Sequence, residues 1–317
     1  MVLHPQIESL LRTIGGLPDD GRDSPSAFRI RYQRWSALMP APAPEQAAAV
    51  QFGDFNVGSR HGLRLTARMY MPAECSRPRP MVFFHGGHAL GGSIDTHHEL
   101  CVDLCHRLQV GLLCASMPAL DEQDWGRVLE CAQDVVHLMD TKRDALQLSA
   151  EPLWVGGDGT GALLGWQAAR HIALQGRRLV QATMLLYPYT KPDLTTPTHL
   201  INANAPTLNR QTIGRAWDAM IGPAWYAWRP DLVPFHAALD SLGLVPSFVV
   251  AAECDALHDD ALHLRDLIAN NGGTALFRGV PHMPHDFARM TSASEQARNF
   301  MGQLCADFRV FAQSQTV

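Results

Sequence analysis

Eight short apolar runs alternate with amphipathic stretches along most of the chain, and this alternation restricts the fold more than any other property of the sequence. The runs at 52–57, 65–71, 81–84, 110–115, 153–155, 182–186, 247–252 and 274–277 have strand character. Segments 96–108, 125–140, 162–174, 259–270 and 294–311 carry apolar residues at helical spacing. Strand and helix repeated in this way predict a mainly parallel sheet flanked by helices, because a parallel pair needs a crossover long enough to hold a helix. The first two runs, separated by the turn-rich Gly58-Ser59-Arg60-His61-Gly62, read instead as an amino-terminal hairpin. The expectation is an α/β domain with an eight-stranded, mostly parallel sheet.

Two regions interrupt the alternation. Residues 1–45 are partly amphipathic and end in the stiff connector Met39-Pro40-Ala41-Pro42-Ala43-Pro44, so they read as an amino-terminal cap segment ahead of a core spanning 46–317. Residues 190–236 read as a cap insertion carrying Trp217, Trp225, Tyr226 and Trp228. Such an insertion is placed to cover the carboxyl ends of the strands, where open α/β sheets hold their ligands. Trp217 and Trp225 are therefore candidate substrate-binding residues, although packing of the insertion accounts for them equally well.

With 46% hydrophobic and 18% charged residues over 317 positions, the chain can bury a large core. A formal net charge of -5 without a lysine or arginine cluster gives no footprint for nucleic acid or an anionic membrane. The seven cysteines are scattered and lack C-x-x-C spacing, which points to buried thiols rather than zinc or redox chemistry. The first residues show no basic start followed by a long apolar run, and no stretch nears the roughly 18 apolar residues that span a bilayer. The expected setting is cytoplasmic, the expected partner a small molecule, and a homodimer is compatible with the sequence.

The chemistry concentrates in four short segments. Residues 152–161 form an apolar strand turning sharply into a helix, the setting of the nucleophile elbow Gly-x-Ser-x-Gly. Here the turn reads Gly157-Asp158-Gly159-Thr160-Gly161, so Gly159 stands at the apex where the serine belongs. The segment Phe84-His85-Gly86-Gly87-His88 follows another strand, and its glycines let backbone N–H groups approach a substrate oxygen, as an oxyanion hole requires. Thr160, just after the apex, is placed to add its own N–H. A third segment puts Asp255 just beyond a strand, and a fourth, Pro281-His282-Met283-Pro284-His285-Asp286-Phe287, supplies a histidine loop after the last strand.

Elbow, acid and base in this chain order resemble the hormone-sensitive-lipase-like branch of the α/β hydrolases, which includes bacterial carboxylesterases and arylacetamide deacetylases. The resemblance covers roughly residues 50–311 and implies the α/β-hydrolase fold. The family's His-Gly-Gly-Gly (or Ala) is matched by His85, Gly86 and Gly87 but not His88. Its Gly-Asp-Ser-Ala-Gly is matched by Gly157, Asp158 and Gly161 but not Gly159. Its Asp-x-Leu-x-Asp fits Asp255, Leu257 and Asp259, and its His-Gly-Phe fits His285 and Phe287 with Asp286 in place of glycine. The resemblance implies Asp255 as triad acid and His285 as base, with His282 as the rival base.

What is missing is the covalent step. Removing a triad serine lowers turnover about 10⁶-fold in the subtilisin case, roughly 8 kcal/mol of barrier, whereas glycine tolerates the strained apex at little structural cost. Thr160 and Asp158 are weak replacements, since the first normally turns its side chain away and the second needs a shifted turn. His85, His88, His282 and His285 lack a helical H-x-x-x-H framework, so no metal or other cofactor is expected. His85 is expected to brace the glycine loop and His88 to face either the pocket or solvent. The leading expectation is a non-covalent enzyme in which His285 and Asp255 act as general base, beside an oxyanion cradle of Gly86, Gly87 and Thr160. It would act on a small hydrophobic ester or carbonyl compound by direct hydrolysis, elimination, carbon–carbon cleavage or cyclisation. The alternatives are a non-catalytic ligand-binding pseudo-hydrolase and a carboxylesterase whose serine was deliberately mutated.

Overall fold

The computed structural model of the protein describes residues 2–17, 24–41, 44–120, 124–223 and 243–315. All eight expected strands form one sheet in the order β1-β2-β4-β3-β5-β6-β7-β8. β1 (Val50–Gly58) and β2 (Arg64–Pro72) make the expected hairpin, and β2 also runs antiparallel to β4 (Val110–Ala115). β3 (Arg79–Phe84), β4, β5 (Leu153–Asp158), β6 (Val180–Leu186), β7 (Ser247–Cys254) and β8 (Ala275–Pro284) are mutually parallel.

Period-two alternation within the central strands divides the core into two layers. In β3, Val82 and Phe84 face the layer that holds α5 (Trp125–Thr141), α6 (Thr160–Leu174) and α9 (His258–Asn270), while Met81 and Phe83 face the layer of α4 (His98–Leu108) and α10 (Glu295–Gln313). These strands are apolar on both faces because both are covered, the usual state of a parallel sheet. Their carboxyl ends carry the turns after β3, β5, β7 and β8, which hold the four segments singled out above.

The amino-terminal segment forms α1 (Pro5–Ile14), α2 (Pro25–Ser36) and α3 (Pro44–Ala48). A proline in the first turn and Ser24 Oγ accepting the Ala27 N–H at 3.2 Å start α2. Phe28, Tyr32 and Trp35 recur at spacings of four and three on its buried face and join the α4–α10 layer. Burying each ring contributes about 2 kcal/mol before ordering entropy. α1 is tied to the sheet where the His4 N–H donates to the His282 carbonyl at 2.9 Å.

The insertion contributes α7 (Pro197–Ile201) and α8 (Arg210–Ile221), whereas Trp225, Tyr226 and Trp228 lie outside the described residues. One boundary departs from expectation: β8 runs ten residues, to Pro284, well past the predicted end. The histidine segment was expected as a loop after the strand, but β8 is an edge strand, where the missing donors of Pro281 and Pro284 can be tolerated.

Candidate active site

β5 passes into α6 through Gly159 alone, with φ 52° and ψ −119°. The flanking glycines are fixed by close backbone approach. A Cβ on Gly157 would lie 2.4 Å from the Gly161 carbonyl oxygen, and one on Gly161 would lie 2.1 Å from that of Phe84. The apex differs, because the nearest heavy atom to a Cβ on Gly159 is Nε2 of His285, at 3.3 Å. The apex is thus less hemmed in than its neighbours, and a side chain at 159 would press on the His285 ring, which would have to give by a few tenths of an ångström.

Asp255 and His285 stand at the ends of neighbouring strands, where Cys254 pairs with Pro284. His285 Nδ1 lies 2.7 Å from Asp255 Oδ2, and both residues are buried. With Asp255 ionised, Nδ1 donates and Nε2 is left as the acceptor. The Leu257 N–H donates to Asp255 Oδ1 at 3.0 Å, fixing the carboxylate plane. Burial disfavours the charged ring, but the Asp255 charge and hydrogen bond outweigh it and raise the His285 pKa. His282 stays outside the site: it is exposed, and its Nδ1 lies 3.0 Å from the Val2 carbonyl oxygen.

The glycine loop after β3 is held from beneath by Asp158. Its Oδ1 accepts the Gly86 N–H at 2.8 Å, and its Oδ2 lies 3.2 Å from His97 Nε2. Burial acts to raise this carboxyl, but His97, Arg289 and the Gly86 N–H outweigh it and hold the pKa at about 2. This corrects the expectation for Gly86 and agrees with the reading of Asp158 as a weak replacement nucleophile. The Gly86 N–H is already committed and does not serve an oxyanion, and Asp158 is a bracing carboxylate with both oxygens engaged rather than a nucleophile.

Gly87, at φ 115°, must be glycine, because a Cβ would lie 2.3 Å from the Gly91 carbonyl oxygen. Among the described residues, the N–H groups of Gly87, His88 and Thr160 have no hydrogen-bond partner. Thr160 Oγ1 accepts the Ala89 N–H at 3.2 Å, so this hydroxyl ties the loop to the elbow. His85 braces the same loop, with Nδ1 2.9 Å from the Gly86 carbonyl oxygen; burial first, then His97, push its pKa down to about 4.

His88 turns inward at φ 56° and is buried. Its Nδ1 lies 3.2 Å from the Tyr189 hydroxyl, its Nε2 has no partner, and its ring centre is 5.3 Å from that of His285. Burial lowers its pKa to about 3, so the ring is neutral at pH 7. Tyr32 of α2 packs edge-on against it at 5.8 Å. Asp286, in place of the family's glycine, adopts φ 64°, is buried, and puts Oδ1 3.8 Å from His285 Nε2.

Arg289 joins these parts: Nη1 donates to the Tyr32 hydroxyl at 2.6 Å, and Nη2 donates to Ser36 Oγ at 2.6 Å and to the Thr96 carbonyl at 3.0 Å. Asp286, Tyr189, Tyr32 and Arg289 were not read as site residues from sequence. Only Asp286 had left a signal, as a departure from the family motif.

A cavity of about 300 Å³ opens beside the loop, lined in part by His85, Gly86, Met117, Leu120, Trp125 and Thr160. Trp217 is not among its lining residues; it is buried and meets Tyr189 edge-on at 6.0 Å, which is the packing role weighed against substrate binding.

A family model described as alpha/beta hydrolase fold matches residues 81–289. The chain is 24% identical over 308 residues to ethyl acetate hydrolase of Pseudomonas putida, covering 94% of this chain and 95% of that protein. It is 26% identical over 280 residues to carboxylesterase NlhH of Mycobacterium tuberculosis, covering 80% and 82%. The crystal structure of a thermostable esterase from Pseudomonas putida ECU1011 superposes with a TM-score of 0.87 at 18% identity, covering 98% of each chain. With the elbow geometry, the Asp255–His285 pair and the order of the four segments, these likenesses establish that the chain belongs to the α/β-hydrolase fold family, in its hormone-sensitive-lipase-like branch.

Proposed function

We propose that this chain is a hydrolase of small, hydrophobic esters or related carbonyl compounds that attacks its substrate with water rather than with a serine. The observation that carries the reading is the 3.3 Å between the Cβ position of residue 159 and His285 Nε2. A water seated above Gly159 would lie within hydrogen-bond reach of that nitrogen, where a serine hydroxyl would otherwise be. His285 takes the water proton as the oxygen adds to the carbonyl carbon, and Asp255 stabilises the resulting imidazolium. The N–H groups of Gly87, His88 and Thr160 are the donors for the developing oxyanion. As the intermediate collapses, the bond to the alkoxide breaks and the ring returns the proton to it. The activities of its relatives, an ethyl acetate hydrolase and a carboxylesterase, support esters as the substrate class.

The test is turnover of short-chain p-nitrophenyl esters with intact-mass spectrometry during the reaction. Product without an acylated protein is expected, together with a loss of about 10²–10⁴-fold in His285→Ala. A covalent acyl adduct on the unaltered chain, or full activity in His285→Ala, overturns the reading.

A further inference from the structure

The chain departs from its family's motifs at His88, Gly159 and Asp286, which lie far apart in sequence on three different turns. The fold brings all three beside His285: a Cβ at 159 would lie 3.3 Å from its Nε2, Asp286 Oδ1 lies 3.8 Å from that atom, and the His88 ring centre is 5.3 Å from the His285 ring centre. We propose that His88, His285 and Asp286 together form a binding site for a divalent transition-metal ion, set over Gly159.

Several independent observations converge on this site. One ligand atom from each of the three residues can be chosen so that all lie within 4.8 Å of one another, and all three residues are buried. Metal–ligand bonds of about 2.0–2.2 Å require neighbouring ligand atoms roughly 3–3.5 Å apart, so small side-chain rotations close the set. His88 Nε2 is buried with no hydrogen-bond partner, a ring nitrogen that the surrounding protein leaves unused. Leaving such an atom unpaired is unfavourable unless something binds it.

Both added ligands also hold backbone conformations that disfavour side chains, with φ 56° at His88 and φ 64° at Asp286. Glycine takes such positions without a Cβ penalty, and histidine and aspartate are among the side chains that tolerate them.

Each ligand is oriented from behind, as metal ligands generally are. His285 Nδ1 meets Asp255 Oδ2 at 2.7 Å, His88 Nδ1 meets the Tyr189 hydroxyl at 3.2 Å, and Asp286 Oδ2 lies 3.5 Å from Arg289 Nη1. Two imidazoles and one carboxylate suit zinc, iron(II) or cobalt(II) rather than calcium or magnesium, and leave coordination positions for water.

The site deepens the water-attack reading, on which it rests only for its role in turnover, and puts the metal in place of the His285 base as activator of that water. A metal-bound water ionises at about pH 7, so hydroxide would be available at neutral pH. Its oxygen adds to the ester carbonyl carbon, the bond to the alkoxide breaks, and the proton of the added hydroxide passes to that alkoxide. His285 then serves as ligand, and the activated water replaces the serine.

The experiment strips the full chain with EDTA, removes the chelator and titrates cobalt(II) chloride, following visible absorption and metal content. One cobalt per chain is expected, with affinity at least about 100-fold weaker in His88→Gly and in Asp286→Gly. Glycine suits the positive φ at both positions, and Asp286→Asn provides a second reading if either variant unfolds. No uptake by the unaltered chain, or uptake unchanged in all three variants, overturns the site. Ester turnover should fall on stripping and return with zinc. Turnover indifferent to EDTA and dependent on His285 overturns the metal's catalytic part and leaves the base reading standing. Tight cobalt uptake without ester turnover supports the site and overturns the hydrolase reading instead.

Discussion

Asp158 Oδ1 accepts the Gly86 N–H at 2.8 Å, so the residue just before the elbow apex fastens the first glycine of the neighbouring loop. Replacing Asp158 by alanine leaves that N–H and the buried His97 Nε2 without their acceptors. Breaking such a pair typically costs about 3–5 kcal/mol, because one partner stays buried and uncompensated. A corresponding drop in the urea midpoint at pH 7 is the expected result for Asp158→Ala; an unchanged midpoint would show that the contact contributes little.

Restoring the missing hydroxyl is the most direct change to the chemistry. In Gly159→Ser the new Cβ lies 3.3 Å from His285 Nε2, which brings Oγ within hydrogen-bond reach of the ring. A burst of p-nitrophenol and an acylated protein are expected in metal-free enzyme, with turnover rising at least about 100-fold. Serine at φ 52° should lower stability by about 1–2 kcal/mol, read from thermal melts.

Acid should loosen the glycine loop through His85. Its folded pKa is lowered from 6.5 to about 4, so the unfolded chain binds the proton more readily than the folded one. Stability from this group is fully present above pH 6.5 and declines as the pH falls towards about 4, by an amount on the order of 3 kcal/mol. Urea midpoints at pH 7, 5.5 and 4.5 measure the slope, which His85→Gln should flatten if the protein remains folded.

Arg289 ties α2 to the histidine turn, and lysine cannot reproduce its forked set of donors. Arg289→Lys is expected to destabilise the protein by about 2–3 kcal/mol and to speed hydrogen exchange in α2 ahead of the sheet. Uniform exchange across both regions would contradict a local tether.

The strands were legible because runs such as Val110–Ala115 are apolar on both faces, leaving few other places for them than a covered sheet. The histidine–aspartate pair was legible from motif and order. By contrast, the extension of β8 was hidden because proline carries the same sequence signal at a turn and on an edge strand. His88 and Asp286 each looked like an isolated irregularity, since nothing local specifies that two distant turns meet across one ring. Arg289 was silent for a related reason: its partners Tyr32, Ser36 and Thr96 belong to separate segments.

The Cys254–Pro284 pairing lets backbone hydrogen bonding between adjacent strands set the spacing of acid and base, while the apex hangs from β5 on the other side of β6. The spacing of the pair is thus set by different strands from the one that carries residue 159. A lineage could change the attacking group and keep its proton-handling apparatus in register, so chemistry at the apex can diverge without the scaffold being rebuilt.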